Sequence, residues 1–105
     1  MTYNQYTLIH VLSDTQYASI HTCQKNNTFE KFVMKQLRRG YMRKVDRQAY
    51  MESMKEIDIH KMLYHPNVVR LYETIDDKDD DKVYLIMEYA EKGQILTYDS
   101  KTNQF

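Results

Sequence analysis

Two charged side chains have the types and the separation of a phosphate-holding pair. Lys35 ends the apolar run "FVMK", residues 32–35, and Glu56 follows 21 residues later in a helix-like segment. An ammonium group on a strand can point at nucleotide phosphates, and a carboxylate on a packed helix can hold it in place. The alternatives are a solvated lysine at a strand end and a helix carboxylate paired with Lys55 or His60.

The bulk composition fits one small folded domain. The 105 residues include 15 basic and 15 acidic side chains, so no net charge attracts the chain to nucleic acid or to anionic lipid. No apolar stretch reaches the roughly 20 residues that span a bilayer, and the N-terminus lacks the character of a signal peptide. The single cysteine, Cys23, excludes an internal disulfide. We therefore expect a cytoplasmic protein with no nucleic-acid or membrane partner.

Local patterns predict an α+β domain with a five-stranded antiparallel sheet and one long helix between strands three and four. Apolar residues recur at helical spacing from about Asp46, a candidate N-cap, to Tyr64, and Pro66 ends the helix. We assign residues 1–93 to the domain and 94–105 to a C-terminal tail. The predicted strands are YTLIHVL (6–12), ASIHTC (18–23), FEKFVMKQL (29–37), VVRLYETI (68–75) and KVYLIMEYA (82–90).

Three motifs in this order resemble the N-terminal lobe of a eukaryotic protein kinase over residues 6–93. "FVMK" is similar to the family's V-A-I-K, and "EIDIHKMLYHPNVVRLYE" (56–73) to its helix and following strand. "VYLIMEYAEKG" (83–93) resembles the fifth strand and the hinge. "NQYTL" and "HPNVVRLYE" most resemble calcium/calmodulin-dependent protein kinase kinases and related serine/threonine kinases.

The resemblance implies an ATP site and roles for particular residues. Lys35 would pair with the ATP phosphates and Glu56 would hold it, in a pair that forms only when the helix lies close to the sheet. Met87 takes the gatekeeper position at the start of the hinge. The remaining positions implied at the adenine are Leu12, Ile20, Val33, Glu88 and Ala90.

Several positions depart from the family pattern. "SDTQYASI" (13–20) replaces all three glycines of the phosphate loop G-x-G-x-x-G-x-V with Ser13, Thr15 and Ala18. A Cβ at each position hinders the close approach of backbone N–H groups to phosphate. Val33 replaces the usual alanine and narrows the adenine pocket, and the polar His60 replaces an apolar residue that helps to connect the two lobes.

The catalytic parts of the family lie in a C-terminal lobe. The chain has neither the H-R-D catalytic loop nor the D-F-G metal ligand, so Mg²⁺ is expected only with a C-terminal lobe and no catalytic residue is predicted here. We expect weak or lost ATP binding and no phosphoryl transfer by this chain, as in a truncated kinase or a pseudokinase. The chain could also be one piece of a full kinase.

The alternative function is a protein-interaction module. An uncovered apolar surface around His60, Leu71 and the tail would then dock a partner or a separate kinase lobe. The basic run "RRGYMRK" (38–44) is interpreted as a mobile loop, with an acidic or phosphorylated partner as the alternative. The acidic run "DDKDDDK" (76–82) lacks the glycine and glutamate of an EF-hand, and the histidines lack zinc-ligand spacing with Cys23, so no metal site is predicted.

Overall fold

The five strands and the long helix form in the chain order that the sequence predicts, and a short strand and a short helix are added. A computed structural model describes residues 2–3, 5–63 and 68–89. Residues 64–67 and 90–105, including Pro66, Ala90 and the predicted tail, lie outside the described residues. The elements are β1 (Thr2–Tyr3), β2 (Tyr6–Asp14), β3 (Ala18–Lys25), β4 (Lys31–Leu37), α1 (Arg39–Val45), α2 (Arg47–Met62), β5 (Leu71–Asp77) and β6 (Lys82–Glu88).

The five predicted strands correspond to β2–β6, and the long helix corresponds to α2. Asp46 is the N-cap of α2, because its side chain accepts a hydrogen bond from the Ala49 amide at 3.0 Å. The two-residue β1 was not predicted. It pairs antiparallel with β2, placing Thr2 opposite Thr7.

The interpretation of "RRGYMRK" as a mobile loop is wrong, since this segment forms α1. Arg39 and Arg43 both bind Asp81, which lies 42 and 38 positions away in the turn between β5 and β6. The Gly40 amide also donates to the Asp81 carbonyl at 2.9 Å, and Met42 is buried. The acidic residues that neutralise this basic run are distant in sequence, so local composition could not reveal the helix.

The sheet is antiparallel throughout, in the order β1-β2-β3-β4-β6-β5. One face packs against the helices. We call this cluster the helix-facing core, and its buried members are Val33, Leu37, Met42, Ile57, Val83, Leu85 and Met87. Tyr17, Ile20 and Leu71 are among the partly buried residues packed against it. The strand β4 therefore supplies core residues at alternate positions on this side.

The opposite face of the sheet buries a second cluster, in which Cys23, Met34 and Ile86 are fully buried. The Tyr6 hydroxyl donates to the Glu73 carboxylate at 2.8 Å and so joins β2 to β5, two strands with three others between them in the sheet order. The sheet must therefore curl strongly. Burial raises the pKa of the Cys23 thiol to about 11, and burial followed by the Glu73 contact raises the pKa of Tyr6.

Candidate nucleotide-binding site

Lys35 lies on β4 between two core residues of the same face. Val33 precedes it and Leu37 follows it, and side chains two apart on a strand share a face. Lys35 is opposite Ile20 on β3 and Leu85 on β6. The ammonium group is thus carried on the helix-facing side of a central strand, and the lysine is half-buried.

Glu56 lies on α2 next to the buried Ile57 and is itself half-buried. It faces the same space as Lys35, because both residues line one cavity of about 60 Å³ between α2 and the sheet. The other lining residues are Leu37, Ser53, Ile57, His60, Leu85 and Met87. The structure therefore brings together the two charged residues that the sequence paired.

The expected ion pair between them is not formed. The ion pairs with an N···O distance of 4.0 Å or less among the described residues join arginines to aspartates, and none joins Lys35 to Glu56. No pair with Lys55 or His60 is found for Glu56 within the same residues. The carboxylate and the ammonium line one cavity without direct contact. We call this the open arrangement of the pair.

The residues predicted at the adenine are only partly assembled. Val33 is fully buried and Met87 is 3% exposed, and they are opposite each other across β4 and β6. Ile20 is half-buried against the same core. Leu12 is 50% exposed on β2 and does not join that core. The predicted adenine contact at Ala90 lies outside the described residues.

The start of the hinge is braced by a residue that the sequence did not single out. The Glu88 amide donates to the Arg70 carbonyl at 2.9 Å, and the Arg70 amide donates to the Glu88 carboxylate at 3.2 Å. Glu88 is exposed and lies opposite Phe32. Two reciprocal bonds therefore fix the backbone just after Met87 and before β5 begins.

The stretch that replaces the glycine-rich loop forms a tight turn between β2 and β3. Ser13 pairs with Ile20 and Asp14 with Ser19, so the strands continue almost to the tip. The Thr15 amide donates to the Ala18 carbonyl at 2.8 Å. The turn is closed by its own backbone.

The structure buries His60, which the sequence analysis placed on an uncovered surface. Its ring nitrogen Nε2 lies 2.8 Å from the Val69 carbonyl oxygen, and the residue is 8% exposed. Leu71 is half-buried against the helix-facing core. His60 and Leu71 themselves are thus covered within the domain, whereas the neighbouring Met62 and Tyr72 are 79% and 50% exposed, and the tail lies outside the described residues.

The acidic run forms a turn held by arginines. Asp81 binds Arg39 at 2.7 Å and also binds Arg43, and Arg39 binds Asp76 at 2.8 Å. The Arg39 bond and the nearby Arg43 charge lower the pKa of Asp81. Burial alone would lower the pKa of Arg39, but its bonds to Asp76 and Asp81 raise it. No group of three or more potential metal ligands was found in the described part of the chain.

Neither helix in the described ranges has the length and apolar character needed to cross a membrane.

A family profile for the protein kinase domain matches residues 6–105. The chain belongs to the protein kinase family. Its antiparallel sheet and helices have the architecture of the family's N-lobe. Both the fold class and the family resemblance are thereby confirmed.

Similar proteins include several serine/threonine kinases. A probable serine/threonine-protein kinase of Dictyostelium discoideum is 29% identical over 99 residues, covering 90% of this chain and 14% of that protein. Serine/threonine-protein kinase ssp1 of Schizosaccharomyces pombe is 34% identical over 97 residues, covering 88% and 15%. A calcium/calmodulin-dependent protein kinase kinase of Caenorhabditis elegans is 55% identical over 42 residues, covering 40% and 8%. This kinase domain sequence thus spans 15% or less of these three relatives.

Proposed function

We propose that this chain is a serine/threonine kinase N-lobe that contacts ATP weakly and does not transfer phosphate by itself. The single observation that supports it most is the placement of Lys35 and Glu56 on one cavity beside Met87. A kinase carries its phosphate-binding lysine and helix glutamate on these two elements, and sets the lysine against the phosphates when the two side chains form an ion pair. The serine/threonine assignment follows the named relatives.

ATP fits part of the site. Lys35 would hold the phosphates, and the braced backbone of Glu88 would lie at the adenine edge, whereas Val33 and Met87 are covered within the helix-facing core and would contact adenine only once uncovered. When bound, ATP supplies the phosphoryl group. The chain's own residues would bind ATP and orient its phosphates. Binding and orientation alone do not remove the proton from the hydroxyl group that accepts the phosphate.

The open arrangement of Lys35 and Glu56 supports weak binding. A lysine that is not held by a carboxylate keeps its rotamer freedom, and nucleotide binding must then order the side chain at a cost of about 0.5–1.5 kcal/mol. The exposed Leu12 covers little of the adenine wall. We expect millimolar affinity.

The absence of transfer is proposed from the chemistry that the sequence lacks. Phosphoryl transfer depends on a positioned base and on Mg²⁺ bridging the phosphates, and the family takes these groups from H-R-D and D-F-G. These 105 residues contain neither motif. Mg²⁺ would be held only with a C-terminal lobe.

The test is a phosphotransfer assay with radiolabelled ATP, Mg²⁺ and a basic protein substrate, run beside an ATP titration. We expect no labelled product above a protein-free blank, and saturable binding in the millimolar range. Labelled product that is lost in Lys35→Met but kept in Lys44→Met would contradict the proposal. Lys44 is exposed on α1 and provides a matched change of charge.

A further inference from the structure

The turn between β2 and β3 is fastened by a residue that follows β4. We infer that Arg38 locks this turn in a closed form that does not bind nucleotide phosphates. The inference rests on the proposed function, because it assigns a role to one wall of the same nucleotide site. It makes Arg38 a positioning residue that determines which part of the lobe meets the phosphates.

Two backbone amides of the turn, those of Thr15 and Ala18, are already engaged. The Thr15 amide donates to the Ala18 carbonyl at 2.8 Å. The Ala18 amide lies 3.3 Å from the Thr15 hydroxyl oxygen, and that hydroxyl donates to the Ala18 carbonyl at 3.1 Å. A backbone cradle for phosphate needs N–H groups that point at the anion. Here the Thr15 N–H group donates to Ala18 and the Ala18 N–H group donates to Thr15, so neither points outward at an anion.

Arg38 holds the turn with three bonds. Its guanidinium donates to the Thr15 carbonyl at 2.5 Å and to the Asp14 carboxylate at 3.1 Å. Its backbone amide donates to the Tyr17 carbonyl at 2.8 Å. Arg38 comes directly after Leu37, which pairs with Ala18, so β4 delivers the arginine to the turn without an intervening loop.

The tip of the turn is also packed. Tyr17 is half-buried against the helix-facing core, and its ring centroid lies 6.1 Å from that of Tyr41 on α1. A tip that packs on a helix cannot lift to accept a phosphate without losing this contact. The three Arg38 bonds and the packed Tyr17 ring thus all restrain the segment 14–17.

The charges give the same result. Asp14 places a carboxylate on the turn, and its partner Arg38 is already engaged. The pair has no net charge, so a phosphate could bind the guanidinium only by displacing the Asp14 carboxylate from it. The turn therefore offers phosphate neither the Thr15 and Ala18 amides nor a free guanidinium.

The experiment follows amide hydrogen exchange in the full chain by NMR, with and without millimolar Mg-ATP. In the unmodified protein we expect the Thr15 amide to be protected, with the same rate in both conditions. Arg38→Ala should speed its exchange about two- to fivefold, the size expected for a solvent-exposed charged pair. Asp14→Asn should give a smaller increase, because the bond to the Thr15 carbonyl remains. Arg47→Ala removes an exposed arginine of α2 and should change nothing at Thr15.

Two results would overturn the inference. One is an unchanged Thr15 rate in both Arg38→Ala and Asp14→Asn. The other is protection or a shift of the Thr15 and Ala18 amides on adding Mg-ATP. If Arg38→Ala does not fold, the Asp14→Asn rate and the ATP comparison decide. Failure of the proposed function is distinguishable, since it appears as undisturbed Met87 and Glu88 amides with ATP.

Discussion

The open arrangement of Lys35 and Glu56 predicts a small energetic coupling between them. Lys35→Met, Glu56→Gln and the double variant form a cycle that isolates the pairwise contribution to the free energy of unfolding. The two charges have no N···O contact within 4.0 Å. Unit charges 4 Å apart interact by about 1 kcal/mol in bulk water, and less at longer range. Because the two groups are not in contact and both side chains stay partly exposed, water screens their charges, and we expect a coupling below about 1 kcal/mol.

The assay is urea denaturation of the four proteins at low ionic strength. The pair of Arg39 and Asp76, joined at 2.8 Å, gives a control cycle in which we expect a larger coupling. A formed and buried Lys35–Glu56 pair would instead lose about 3–5 kcal/mol on removal of one partner. A measured coupling of about 2 kcal/mol or more would therefore refute the open arrangement.

Three further predictions concern stability. His60→Leu should lower the free energy of unfolding by about 1–3 kcal/mol in urea titrations, because it leaves the buried Val69 carbonyl unpaired. No loss would show that the bond contributes nothing. Gly40→Ala should cost about 1–2 kcal/mol and lower the melting temperature, since its Cβ would lie 2.5 Å from Asp81 Oδ2. An unchanged melting temperature would mean that Asp81 in the turn between β5 and β6 can move aside at no cost in stability. Burial raises the pKa of Cys23 from its ordinary 9.0 to about 11, so its contribution is full below pH 9 and is lost as pH rises toward 11. Urea titrations across that range should show a loss in the free energy of unfolding on the order of 3 kcal/mol that Cys23→Ala removes; an equal loss in both proteins would contradict the assignment.

Local pattern was sufficient for most of the fold. The strands follow from short β-branched and aromatic runs, and the cap at Asp46 and the helix period place α2. The placement of Lys35 and Glu56 on one cavity followed from the motifs that carry them. These features depend on residues near in sequence or on spacing within a motif.

Features that depend on distant contacts escaped prediction. The helix α1 is bonded to Asp81, and the closed turn is bonded to Arg38, which lies 23 positions after Thr15. The burial of His60 requires the Val69 carbonyl, nine positions on. Whether Lys35 touches Glu56 depends on how close α2 lies to the sheet, and no local pattern encodes that distance.

Nucleotide titration of matched variants tests the central claim most directly. Amide chemical shifts would be followed as Mg-ATP is added to the unmodified chain, to Lys35→Met and to Lys44→Met. We predict saturable millimolar shifts at Met87 and Glu88 that weaken in Lys35→Met and persist in Lys44→Met. Identical titrations in all three proteins, or micromolar affinity, would contradict a weak site that depends on the β4 lysine.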